Sequence, residues 1–417
     1  MDYISERSGG SPVSFVDAVL TGLAPDGGLY VPTELPCHRV EYAADYPQFV
    51  ARLLAPFVPS ILPLADWCER AFSFSLPIQS FADQHGILEL FHGPSLSFKD
   101  FGARFLAQVI QHCPTEKPRL IMVATSGDTG SAVAAAFHQQ PNVRVVVLYP
   151  KGKVSARQAH QLACWGDNIT TLAVEGAFDD CQALVKQAFT APDIQEQFHL
   201  TTANSINIGR LLPQMSYYAY SSLQRYADTQ QPMNIIVPSG NLGNVTAAFW
   251  ARALGYPIGN IVIAQNANAS MVRYLANGDY QPQASVDTLA NAMDVGAPSN
   301  FARLQKLYPI FADFTQHVQA FEVSDAQIEQ AMVSAYQIHG LCLCPHTATA
   351  YHVWQNQVDH SQPWLLAATA DPAKFESIVG PLLGVTLPLS KAFQAQLARP
   401  AIEQNVAADL EAVIRAL

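Results

Sequence analysis

LIMVATSGDTGSAVAAAFHQQ, Leu120 to Gln140, joins a continuous apolar run to a glycine-bearing turn and then to a helix pattern. An apolar run without polar alternation reads as a strand buried on both faces, as in a parallel sheet covered by helices. The unit repeats downstream. VRVVVLYP (Val143 to Pro150) is a second β-branched run, followed by a polar helix around SARQAHQLACWG, and NITTLAVEG (Asn168 to Gly176) is a third, followed by FDDCQALVKQAF. The pattern resumes at MNIIVPSG (Met233 to Gly240), the helix NVTAAFWARALG and the strand NIVIAQN. Strand, turn and helix recurring about every 25 residues predict an α/β fold with two doubly wound open-sheet lobes. The stretch before about residue 78 mixes short helical patterns with proline-rich breaks such as APFVPSILPLAD, and reads as a small N-terminal segment or domain.

The chain has 417 residues, 49% of them hydrophobic and 14% charged, which suits a packed core in two or three domains. Its formal net charge is −11 with no basic run, so binding to nucleic acid is not expected. An anionic substrate would need a local pocket of positive groups, because the overall field repels it. The seven cysteines are scattered, with Cys342 and Cys344 alone close together. That C-x-C pair lacks a second pair for a zinc site, so no metal and no disulfide framework is expected. The opening MDYISERSGG has no signal-peptide pattern and no apolar run reaches membrane-spanning length, so a cytoplasmic protein without membrane contact is expected.

Ligands of open α/β sheets sit at the carboxyl ends of the strands. Three loops fall at such ends: ATSGDTGSA, VPSGNLGN and LLAATADPAKF. In PSGNLGNVTAAF, Gly240 and Gly243 would let the backbone approach a ligand while the helix N-terminus offers unpaired N–H groups, which makes an anion site. In ATSGDTGSA, Ser126 or Thr129 reads either as an N-cap or, with Asp128, as part of a cradle for a carboxylate. NSINIGR offers Asn204, Ser205 and Arg210, whose guanidinium could take a phosphate in bidentate fashion or stay in solvent. Lys99, in HGPSLSFKDFGARFLAQ, stands between Phe98 and Phe101. It reads either as a lysine paired with Asp100 or as a desolvated amine able to attack a carbonyl. Binding pyridoxal phosphate covalently would need that amine, a separate phosphate cradle and a partner for the pyridine nitrogen.

Taken together, these motifs resemble those of the threonine synthase family, pyridoxal-phosphate enzymes of fold type II with a tryptophan synthase β-like fold. HGPSLSFKDFGARF, ATSGDTGSAVAAAF, VVVLYPKGKVSARQ, FDDCQALVKQAF, ANSINIGRLLPQ, PSGNLGN, LANAMDVGAPSNF and TADPAKF run in the family's order, after an opening RSGGSPVSFVDAVLTGLAPDGGLYVP of the same kind. The resemblance implies that Lys99 carries pyridoxal 5'-phosphate, that Gly240, Asn241, Leu242, Gly243 and Asn244 cradle its phosphate, and that Thr369 faces its ring nitrogen. It implies a loop of Ser126, Asp128 and Thr129 for the substrate's α-carboxylate, with Asn204, Ser205 and Arg210 for its phosphate. The implied reaction turns O-phospho-L-homoserine and water into L-threonine and phosphate, in a monomer or homodimer. The domains expected are 1–78 at the N-terminus, a large cofactor-binding domain of 79–110 and 205–417, and a small α/β domain of 111–204.

Two positions depart from the family pattern: Asp371 replaces the histidine of TAHPAKF, and Cys344 stands where an acid is frequent. Asp371 lies two residues after Thr369, so on a strand both would face one side, which predicts an effect of Asp371 on the ring-nitrogen environment or the phosphate pocket. A related lyase releasing a 2-oxo acid and a catalytically silent paralogue are the competing functions. NSINIGR speaks against a plain dehydratase, and the intact Lys99 and PSGNLGN against a silent protein.

Overall fold

The computed structural model describes residues 1–7, 10–113 and 115–417. Near the N-terminus β1 (Tyr3–Ser5) pairs antiparallel with β2 (Tyr30–Pro32). The larger sheet takes β3 (Ile78–Ala82), β4 (His85–Glu89), β9 (Met233–Pro238), β10 (Ile258–Gln265), β11 (Gln319–Glu322) and β12 (Trp364–Ala368). The smaller takes β5 (Arg119–Ala124), β6 (Val143–Pro150), β7 (Ile169–Glu175), β8 (His199–Thr202) and β13 (Gln404–Ala407). Their orders are β11-β10-β9-β12-β4-β3 and β13-β7-β6-β5-β8. All neighbours run parallel except the hairpin β3–β4.

Burial explains the unbroken apolar runs. β5, β9 and β12 are buried at every residue, because helices cover both faces of each sheet. One core cluster joins the inner faces of both sheets to the N-terminal segment, and separate clusters lie behind each sheet. The two-lobed α/β architecture expected from the sequence is present. One assignment needs correction: β13 adds to β7 of the smaller sheet, so the end of the chain does not stay with the rest of 205–417. The strand QNVA carries one buried residue, Val406, and thus no apolar run to betray it. What anchors it is an open sheet edge and the burial of Val413 on the following helix.

The helix Lys99–His112 is central to the arrangement. It has nine buried positions from Asp100 to Ile110, and the N-terminal segment wraps it. Phe101 sits among aromatic rings from four places: Tyr46, Phe72, Phe74 and Tyr217, at centroid distances of 6.2, 6.1, 4.9 and 4.9 Å. Among the described residues no helix is long and apolar enough to cross a membrane.

Because Phe101 is completely buried and links these segments, Phe101→Ala is expected to lower unfolding stability by about 3–5 kcal/mol. A shift of the urea midpoint measures this; a change under about 1 kcal/mol would show that the cluster repacks without loss.

Candidate active site

The carboxyl ends of β5, β8, β9 and β12 converge on the first turn of the helix Lys99–His112. Lys99, Asp128, Ser205, Arg210, the stretch Gly240–Asn244 and Thr369 all line one cavity there. Thr369 is brought in by its carbonyl, which accepts the Phe98 N–H at 2.9 Å. The Lys99 amine lies 4.5 Å from the Phe98 ring centroid. Burial, and then the Arg210 charge, push its pKa down to about 8, with Asp128 opposing. About a tenth of the amine is therefore neutral at pH 7.

The paired-lysine reading of Lys99 fails on geometry. Asp100 turns away: its Oδ2 accepts the Ser95 N–H at 2.8 Å, packed so closely on Gly93 that a Cβ there would lie 2.4 Å from that oxygen. Burial raises the Asp100 pKa to about 6, and Lys99 forms no ion pair among the described residues.

The loop after β9 leaves several donors without partners. Leu242, in the left-handed conformation at φ 60°, caps the helix Gly243–Ala253, whose first N–H groups have no acceptor within the helix. Tyr217 and Tyr218 both donate to Asn244 Oδ1, at 2.6 and 2.8 Å, which leaves the buried Nδ2 without a partner among the described residues. Ser239 Oγ is also buried and unpartnered. Gly240 has a different reason from the one its motif suggested: a Cβ there would sit 2.6 Å from Met293 Cα, so the residue admits a neighbouring loop. These orphaned donors beside a reactive amine fit a phosphorylated aldehyde cofactor.

Beside this cradle, Arg210 is 1% exposed and donates through Nη1 to the Ala203 carbonyl, while its Nε has no partner among the described residues. Burial pushes its pKa down to about 10, with Asp100 opposing, so it stays charged at neutral pH and forms no ion pair among the described residues. Ser205 Oγ accepts from Asn241 Nδ2 at 2.5 Å. Asn204 does not reach the cavity; its Nδ2 lies 3.5 Å from the Ala124 carbonyl, between the ends of β8 and β5.

Ser126 and Thr129 likewise do not line the cavity. Neither caps its helix, which begins at Asp128 after Gly127. Thr125 satisfies the turn instead, its Oγ1 accepting the Gly127 and Gly130 N–H groups, both at 2.9 Å. Asp128 is held 2.6 Å from the Nζ of Lys374 and accepts from Gln158 Nε2 at 3.2 Å. Burial alone would raise the Asp128 pKa, but Lys374, His346 and the hydrogen bonds outweigh it and leave the carboxyl below its ordinary value. An ionised carboxylate there repels a substrate carboxylate, so Asp128 serves as the counter-charge of Lys374.

The sequence reading assigned no role to Lys374 or His346. Lys374 lies in TADPAKF, is wholly buried, and also donates to the Ser95 carbonyl at 2.7 Å. His346 lines the cavity, and its Nε2 accepts the Ala292 N–H at 3.0 Å, which assigns the proton to Nδ1. Burial lowers its pKa to about 4, so the ring is neutral at pH 7. The only trace of these residues in sequence is a charged or titratable side chain in an apolar context.

Asp371 is placed otherwise than expected. β12 ends at Ala368, so strand alternation does not carry on to Asp371. Its carboxylate caps the turn Pro372–Phe375 by accepting the Ala373 N–H at 2.8 Å. It lines a separate cavity of about 310 Å³ together with Cys344, away from Lys99. Cys344 caps the helix Pro345–Gln357 through Sγ, which accepts the Thr347 N–H at 3.4 Å. An acid at that position would make the same cap.

Lys374→Met leaves the Asp128 charge buried without its partner and is expected to cost about 3–5 kcal/mol of stability. Lys374→Met combined with Asp128→Leu should recover part of that loss. Equal urea midpoints for the wild type and the single variant would refute the pairing. Because the Asp128 pKa is lowered, the contribution of the pair is complete above the ordinary carboxyl range. It fades as pH falls through the folded-state value.

The family profile described as pyridoxal-phosphate dependent enzyme matches residues 77–366, and that of the threonine synthase N terminus matches residues 2–72. Threonine synthase of Escherichia coli K12 is 39% identical over 409 residues, covering 96% of this chain and 95% of that protein. The crystal structure of the Escherichia coli threonine synthase superposes with a TM-score of 0.92 at 38% identity, covering 100% of this chain and 99% of the other. A structure of threonine synthase with bound pyridoxal phosphate, from Brucella melitensis, gives 0.92 at 30% identity over 100% and 98% of the two chains. Matched in both its N-terminal and catalytic parts and aligned almost end to end with these relatives, the chain belongs to the threonine synthase family of pyridoxal-phosphate-dependent enzymes.

Proposed function

We propose that this chain converts O-phospho-L-homoserine and water to L-threonine and phosphate, the last step of threonine biosynthesis, as a cytoplasmic enzyme. What supports the reading is two adjacent sets of donors, around Asn244 and around Arg210, on the cavity that holds one buried amine. The loop Gly240–Asn244 would hold the cofactor phosphate, and Ser205 with Arg210 the phosphate of the substrate. A dehydratase acting on a hydroxyl amino acid would need only the first.

When bound, pyridoxal 5'-phosphate supplies an electron sink that makes C–H bonds near the substrate's amino group acidic. Lys99 would hold it through the amine. Displaced by the substrate's amino group, Lys99 would then move protons at the substrate's Cα and Cβ, a task suited to a pKa of about 8. Thr369 would present a neutral hydroxyl and not a carboxylate to the ring nitrogen, which would keep that nitrogen largely unprotonated. Arg210 stays charged and forms no ion pair among the described residues, so it could stabilise phosphate as it leaves Cγ.

The test is to assay threonine, phosphate and 2-oxobutanoate together after adding phosphohomoserine to the holoenzyme. Equal threonine and phosphate is the expected result. Phosphate with 2-oxobutanoate would make the protein a lyase, and no turnover would make it catalytically silent. Lys99→Ala should reduce turnover by at least about 10²–10⁴-fold. In the cofactor-free protein, uptake of pyridoxal phosphate should speed up about tenfold per pH unit up to a midpoint near 8, because only the neutral amine attacks. A midpoint near that of a free lysine would remove desolvation as the reason Lys99 is reactive.

A further inference from the structure

Arg303 plays no part in the steps above, yet it is among the largest completely buried side chains, 1% exposed. It lies on the helix Phe301–Leu307, two positions after the end of GAPSNF. Every hydrogen bond it makes goes to a neutral oxygen. Nε and Nη2 donate to the Tyr30 carbonyl at 3.1 and 2.8 Å, and Nη2 to the Ile206 carbonyl at 2.7 Å. Nη1 donates to Asn300 Oδ1 at 2.8 Å and to the Ser205 carbonyl at 3.3 Å. It forms no ion pair among the described residues. Burial lowers its pKa to about 9, with the Glu6 carboxylate opposing from beyond ion-pair distance, which still leaves it charged at neutral pH.

These bonds lead to the anion site. Asn300 Nδ2 lies 3.4 Å from the Ser205 carbonyl, and a Cβ on Gly243 would come within 3.2 Å of the same nitrogen. Asn241, which donates to Ser205 Oγ, accepts the Ser299 N–H at 2.6 Å. The segment Ser299–Arg303 thus joins the NSINIGR turn to the PSGNLGN loop from behind the cavity wall, to which Ser205 and Asn241 belong.

We propose that Arg303 is a positioning residue for the substrate's phosphate: it fixes Ser205 through the Ser205 and Ile206 carbonyls and Asn300. The inference rests on the reading that Ser205 and Arg210 receive that phosphate. A guanidinium suits the task better than an ammonium because its planar fork reaches three carbonyls and one amide oxygen at once. The alternative is that Arg303 merely fastens the N-terminal segment, through Tyr30, to the body of the protein.

Two ligands separate these roles in the pyridoxal-phosphate-loaded protein. Inorganic phosphate probes the anion pocket by calorimetry, and L-threonine, which lacks a phosphate, probes the amino-acid site through the cofactor's absorption. Arg303→Lys keeps the charge without the fork and should weaken phosphate binding about tenfold, and Arg303→Met about 10²-fold. L-threonine affinity should stay within about twofold in both. Asn300→Asp, close in shape, places a carboxylate against Arg303 and should also weaken phosphate about tenfold. Unchanged phosphate affinity overturns the proposal, as does an equal loss for both ligands, which is the signature of fastening alone. If Arg303→Met does not fold, Arg303→Lys and Asn300→Asp decide by the same criteria. A wild-type protein that binds L-threonine but not phosphate would overturn the pocket's assignment itself, and the role of Arg303 with it.

Discussion

The contact between Asp128 and Lys374, 2.6 Å apart and out of reach of water, holds the two lobes together where their strands end. Asp128 starts a helix packed on the smaller sheet, while Lys374 belongs to the turn that follows β12 of the larger. Neighbouring contacts cross the same seam. Ser155 Oγ donates to the Lys374 carbonyl at 2.9 Å, and Arg157 donates to the Ala373 carbonyl at 2.6 Å and pairs with Glu376 at 3.3 Å. Such a pair adds little net stability over an apolar one, but breaking it on one side strands a charge. The cavity walls are therefore held in register by a contact that tolerates no half-measures.

The same pair controls charge near Lys99. Asp128 neutralises Lys374, while Arg210 at the wall and Arg303 one layer behind form no ion pair among the described residues and feel Asp100 and Glu6 only from a distance. In a chain of net charge −11, this local excess of cation is what would draw a phosphorylated substrate inward. Burial lowers the pKa of each of these guanidiniums while leaving it protonated at neutral pH, and the much more acidic His346 is left neutral. The amine of Lys99 lies between these cases, close enough to neutrality to react and basic enough to carry a proton.

Much of the architecture was legible because buried parallel strands must be apolar on both faces. LIMVA, VRVVVLY and MNIIV announce themselves by composition alone, whereas QNVA does not, since it joins an edge and buries only Val406. The glycine motif PSGNLGN does line the cavity that holds Lys99, but it misled about one cause. Gly240 is small for the sake of Met293, a residue more than fifty positions away in the chain, and no local pattern contains that information. Asp371 shows the opposite limit: alternation predicts a shared face with Thr369 only while the strand lasts, and β12 stops at Ala368.

By itself the amino-acid sequence determined the α/β class, the three strand-end loops and the candidate amine, because these follow from periodicity, turn chemistry and the company Lys99 keeps. Tertiary structure alone decided which polar groups reach that amine. It brought Ser205, Arg210, Asn244 and Thr369 to the cavity, left Ser126, Thr129, Asn204 and Asp371 off its wall, and recruited His346 with Lys374 and Arg303 behind. The physical reason is that a buried charge is defined by what surrounds it in space. Whether Asp128 meets a substrate or Lys374 depends on two segments more than two hundred residues apart, and that distance is closed only by folding.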